Sequence, residues 1–126
     1  MDSLDKLVSL ENEASDFGFL WETPAQIMEQ IQSECAEINE HLEQGLAAAD
    51  KIALQEEIGD LLHAAFSLCV FCNFNPEETL DRTLTKFEKR LKAVKSIAQE
   101  QGLSELKGYP FAELMNIWRQ AKGRVG

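Results

Sequence analysis

An all-α fold is what this chain of 126 residues predicts, and three features carry that expectation. Apolar residues recur at steps of three and four along most of its length. No segment alternates with the period of two that a half-buried strand requires, and each long periodic run is bounded by residues that start or stop helices. A composition of 44% hydrophobic and 27% charged residues suits one globular domain with a single core. The expectation is therefore one domain over residues 1–126, an antiparallel bundle of four to five helices completed by a second copy.

The first segment, Ser3 to Ala14, is the weaker helix candidate. Next, Ile27, Ile31, Cys35, Ile38 and Leu42 define an amphipathic helix that begins near Thr23-Pro24, with Thr23 as cap and Pro24 in the first turn. Gly45 breaks it, and a short small-residue link leads to a run from about Lys51 to Cys72. Asn75, Pro76 and Glu78 then supply a cap, a first-turn proline and an acid three residues after the cap. The helix that starts there carries Leu80, Leu84, Phe87, Leu91, Val94 and Ile97 and stops at Gly102. A last short helix is expected from Pro110 to Lys122, ending at Gly123. From Ala64 to Cys72 the third run is apolar nearly all round, more than one small bundle covers easily, which argues for a homodimer or a dimer of dimers.

A formal net charge of −10 argues against a nucleic-acid groove or an anionic membrane surface, since both require clustered Lys and Arg. The three cysteines, Cys35, Cys69 and Cys72, lie in apolar runs and read as small buried hydrophobes in a reducing compartment. Cys69-x-x-Cys72 lacks the second Cys or His pair of a zinc site. Met1 to Leu10 holds acids rather than the apolar core of a signal peptide, and no stretch has the apolar length to span a bilayer. A cytoplasmic protein is expected.

The chemistry-bearing pattern is a pair of pairs. Glu34-x-x-Glu37 and Glu57-x-x-Asp60 fall on successive predicted helices, and residues three apart on a helix lie about 5 to 6 Å apart on one face. Packed side by side, the two helices would offer four carboxylates to a hard cation, with magnesium the best match and manganese a possible substitute. Counting 100° per residue sets Glu34 on the margin of its helix's apolar stripe and Glu37 farther round. The same count leaves Glu57 beside the stripe of Leu54, Ile58, Leu61 and Ala65, and turns Glu56 to water. Acids at this spacing are commonly a solvated face, and it is the second pair that favours the cation.

Five segments in order resemble the MazG-like all-α nucleoside triphosphate pyrophosphohydrolases. They are Phe17-Gly-Phe-x-Trp21, Glu34-Cys-Ala-Glu37, Glu56-Glu-Ile-Gly-Asp-Leu-Leu62, Lys86-Phe-Glu-Lys-Arg90 and Trp118-Arg-Gln-Ala-Lys122. The pattern is most similar to the C-terminal half of the two-domain MazG proteins, here standing alone. What the resemblance implies is hydrolysis of a nucleoside triphosphate between its α and β phosphates, giving the monophosphate and pyrophosphate. It further implies Glu34, Glu37, Glu57 and Asp60 as magnesium ligands, Lys86 and Arg90 as phosphate contacts, and Trp118 with Lys122 as a further substrate-side pair. Trp21 either closes the bundle or lies near the nucleotide base. One departure stands out: the family often opens its first acidic motif with two adjacent glutamates, and this chain has Ser33 at the first position.

Two other readings compete. Asp60-Leu-Leu-His63 echoes the acid-x-x-His pairs of di-iron bundles, but His41, the only other histidine, has no acid three residues before it. His63 is expected to be a partly exposed structural residue or a neighbour of the metal. The second competitor is a non-catalytic helical dimerisation or regulatory module whose acidic patch only solubilises it, or a member of the resembled family that has lost activity along with the acid at Ser33.

Overall fold

A computed structural model describes residues 2–45 and 48–126, and among them it has five helices and no strand. The expected all-α class is what is found. Helix α1 spans Ser3–Phe17, α2 Pro24–Glu43, α3 Ala48–Phe71, α4 Pro76–Glu100 and α5 Phe111–Val125. The small-residue link expected after Gly45 falls on residues 46–47, outside the described residues.

The helix ends show why these segments are helical. Asp2 caps α1 by accepting the Asp5 N–H at 2.8 Å, and Gly18 closes it with φ of 97°, a left-handed conformation open to glycine. That stop carries α1 three residues past the expected Ala14. At α2, Thr23 accepts the Gln26 N–H at 3.4 Å while the Gln26 side chain accepts the Thr23 N–H at 3.2 Å, a reciprocal box ahead of Pro24. Asn75 accepts the Glu78 N–H at 3.0 Å at the start of α4, as its sequence predicts. Gly123 is a correction. It lies inside α5 rather than ending it, because the Gly126 N–H still bonds the Lys122 carbonyl at 2.9 Å and Arg124 is anchored sideways to Glu100.

The chain divides into two compact units, Met1–Thr79 and Leu80–Gly126. In the first, α2 packs along α3, and α1 lies against α3. The short α2–α3 connection makes those two helices antiparallel neighbours. Their buried side chains include Ile27 and Ala64, joined by the polar Glu34 and Ser67. In the second, Ala93 and Ile97 of α4 meet Ile117 and Ala121 of α5, with Val94, Leu106 and Tyr109 packed against them.

Large apolar side chains remain on the surface. Of the α2 stripe, Ile27 is buried and Ile31 and Ile38 half-buried, while Cys35 and Leu42 are exposed. The cysteine expectation is corrected as well: Cys35 and Cys72 are exposed and only Cys69 is half-buried, because a single copy has no second layer over those faces. Among the described residues, no single helix is long and apolar enough to cross a membrane.

Candidate functional site

The α2–α3 hairpin determines where both acidic pairs go. Glu34 is buried, and its Oε1 accepts a hydrogen bond from Gln30 Nε2 at 2.7 Å. Glu57 is half-buried, with Oε1 lying 3.1 Å from His41 Nε2, a contact that crosses from α3 to α2. The remaining oxygens, Glu34 Oε2 and Glu57 Oε2, are buried without a hydrogen-bond partner, as is His41 Nδ1. A buried, unsatisfied oxygen of this kind costs about 1–3 kcal/mol, more if charged, so each persists only where something compensates it. Glu37 and Asp60 are exposed, and Glu56 faces solvent as its helical position predicts.

Electrostatics places the four acids in one neighbourhood. The charge of Glu34 holds the Glu37 carboxyl above the ordinary glutamate value of 4.5, followed by loss of hydration and then by the charges of Glu57, Glu40 and Asp60. Because Glu37 is exposed, like-charge crowding is the cause that matters. Two acceptor oxygens without donors, beside an acid repelled by four others, form an environment that a hard divalent cation would relieve. The four acids fit magnesium in kind, since each offers carboxylate oxygens, while the buried, unpartnered His41 Nδ1 beside them is a nitrogen that magnesium does not favour. The quartet is not drawn tight: among the described residues, the one group of three acids with ligand atoms within 4.8 Å of each other is exposed Asp2, Asp5 and Glu77. An open quartet suits magnesium, which keeps several waters.

Glu34 and Asp60 open into a cavity of about 1050 Å³ within the first unit. Phe19, Trp21 and Phe71 form part of its wall. Trp21, expected to close the bundle or to lie near a base, is half-buried and lines this cavity. Elsewhere on the same wall, Glu11 of α1 accepts from Ser67 Oγ at 2.6 Å through its Oε1, and that same oxygen lies 2.8 Å from His63 Nε2. His63 thus pairs with an acid on α1. Sequence reasoning missed Glu11 because its partners stand 52 and 56 positions away, beyond any local spacing rule.

The other expected substrate residues belong to the second unit. Arg90 sits over the Trp118 ring, 5.6 Å from its centroid, and donates through Nε to the Gly126 carbonyl at 2.9 Å. Phe87 meets Trp118 at 6.1 Å between ring centroids. Lys86, one turn before Arg90, and Lys122, one turn after Trp118, are exposed. The expected substrate-side residues of α4 and α5 are thereby linked through the Arg90–Trp118 contact.

Comparison with known proteins bears on what such a site does. A family model described as the MazG nucleotide pyrophosphohydrolase domain matches residues 22–95. A nucleoside triphosphate pyrophosphohydrolase/pyrophosphatase MazG of Thermotoga maritima is 34% identical over 114 residues, covering 90% of this chain and 42% of the relative. A nucleoside triphosphate pyrophosphohydrolase of Escherichia coli is 28% identical over 122 residues, covering 97% of this chain and 45% of the relative. The chain spans under half the length of these two relatives.

Proposed function

The chain belongs to the MazG nucleotide pyrophosphohydrolase family, and on that premise we propose that it hydrolyses nucleoside triphosphates between the α and β phosphates, releasing the monophosphate and pyrophosphate. The observation that carries this reading is the pair of buried, unpartnered oxygens on Glu34 and Glu57, beside a Glu37 carboxyl crowded by its acidic neighbours. Magnesium, held by Glu34, Glu37, Glu57 and Asp60 with manganese as a substitute, would supply charge neutralisation and Lewis acidity at the phosphates.

The protein's own groups do the remaining work. Gln30 and His41 hold Glu34 and Glu57 in fixed orientations, so little reorganisation is needed when the anionic substrate arrives. Lys86 and Arg90 are assigned to the triphosphate tail, Lys86 as a mobile point charge and Arg90 as a planar donor steadied on Trp118. Lys122 adds positive charge one turn from Trp118, and Trp21 offers a ring to the base. Positioning and electrostatics suffice, and no covalent nucleophile is required.

The family match, running over residues 22–95, crosses the boundary between the two compact units, which supports treating the chain as one domain. Leu80, Leu84, Phe87 and Leu91 form a stripe along α4 that is 37–53% exposed, and this supports a homodimer or a dimer of dimers. The absence of disulfides among its three cysteines accords with a cytoplasmic setting. Ser33 in place of an acid favours the second reading, a helical regulatory module without turnover.

Incubation with a panel of common and modified triphosphates plus magnesium, with nucleotide and phosphate products both identified, separates the two. Monophosphate and pyrophosphate are expected. Glu57→Ala and Asp60→Ala should each abolish turnover and leave helicity intact. Release of orthophosphate, or near-wild-type rates in either variant, contradicts the assignment.

A further inference from the structure

We propose that Glu11, held by Ser67 and His63, reads an exocyclic amino group on the nucleobase, so that the substrates are triphosphates of amino-bearing bases rather than their oxo counterparts. The inference rests on the nucleotide reading above and specifies which nucleotides fit. Its basis is the polar cluster in the wall of the 1050 Å³ cavity that Glu34 and Asp60 also line.

Position comes first. Asp60 and Ser67 lie on the same helix seven residues apart, about 10 Å of rise. With the phosphates at the acidic quartet, a nucleotide extending along α3 brings its sugar past Asp60 and its base to the level of Ser67 and Glu11. Phe19, Trp21 and Phe71 line the same cavity and offer ring faces to a planar base. Stacking tolerates every base because each has a π-face, so discrimination falls to the polar group at the base's edge.

Chemistry comes second. An ionised carboxylate only accepts hydrogen bonds. Glu11 Oε1 is already engaged by the buried Ser67 hydroxyl and by His63, which restrains the side chain. Its Oε2 meets no hydrogen-bond donor among the described residues and remains an acceptor. The amino group of cytosine or adenine satisfies it. The carbonyl that uracil or hypoxanthine carries at that position sets lone pairs against lone pairs, leaving two acceptors face to face.

The test measures binding of CMP against UMP and of AMP against IMP to the whole chain by calorimetry, alongside turnover of the matching triphosphates. The amino member of each pair is expected to bind about 10- to 100-fold tighter, the range of one charge-assisted hydrogen bond. In Glu11→Gln, whose amide can donate to a carbonyl, the ratio should fall to one or invert. Ser67→Ala should lower it by loosening the carboxylate. Equal binding within each pair by the wild-type protein overturns the proposal, as does an unchanged ratio in a folded Glu11→Gln or no binding of any monophosphate. A base preference without turnover removes the hydrolytic reading alone. Turnover without a preference removes this inference alone.

Discussion

Glu57 shows how a single residue's position is set by helical angle and then given meaning by a neighbour that no spacing rule predicts. Its place beside the apolar stripe, with Glu56 turned to water, follows from 100° per residue. The His41 contact at 3.1 Å depends instead on the packing of α2 against α3. His41 is therefore a positioning residue: it touches a proposed metal ligand rather than the metal. Loss of such an outer partner typically lowers metal affinity about 10- to 100-fold, and His41→Ala is expected to weaken manganese binding by that factor. Electron paramagnetic resonance titration without nucleotide would measure it, and unchanged affinity would remove the role. The Glu11 cluster makes the converse point, for nothing within a few positions of Glu11 announces partners on a helix 52 and 56 residues away.

At the scale of elements, local rules were sufficient for two helix starts whose caps have their partners within four residues. Thr23 with Gln26 and Asn75 with Glu78 are both of this kind, and the α2 and α4 starts were legible for that reason. The end of α5 was not, because Gly123 reads as a stop until a distant group holds the last turn. Arg124 supplies that hold by donating from both terminal nitrogens to Glu100 at 2.9 and 2.8 Å. The Arg124 hydrogen bonds keep the Glu100 carboxyl below the ordinary value of 4.5, against an opposing loss of hydration. An acid that ionises more readily when folded adds stability above that ordinary value and loses it as pH falls through the lowered one. Glu100→Gln should accordingly melt below wild type at neutral pH, with the difference shrinking in acid. A constant gap in melting temperature from neutral pH down through that acid range would show that the pair does not titrate as described.

For the molecule as a whole, apolar surface is the informative quantity. Phe17 at 90% exposed, Phe19 at 80% and Phe74 at 64% accompany the open α4 stripe, a load that water disfavours by roughly 25 cal/mol per Å² of apolar area. A second copy is the expected cover. Sedimentation equilibrium across micromolar concentrations should give a dimer or a multiple of it, and Leu84→Glu with Phe87→Glu should shift the weight toward monomer. A wild-type monomer at every concentration would retire the dimer. The sequence by itself determined the helical class, most helix ends and the two acidic pairs, because periodicity and capping act over a few residues. Only the tertiary structure decided that Glu34 and Glu57 keep a buried oxygen unpartnered, that His41 braces one of them, and that Glu11 meets Ser67 and His63. The His41 and Glu11 contacts each join one helix to another, and no local pattern of residues encodes which faces of packed helices will meet.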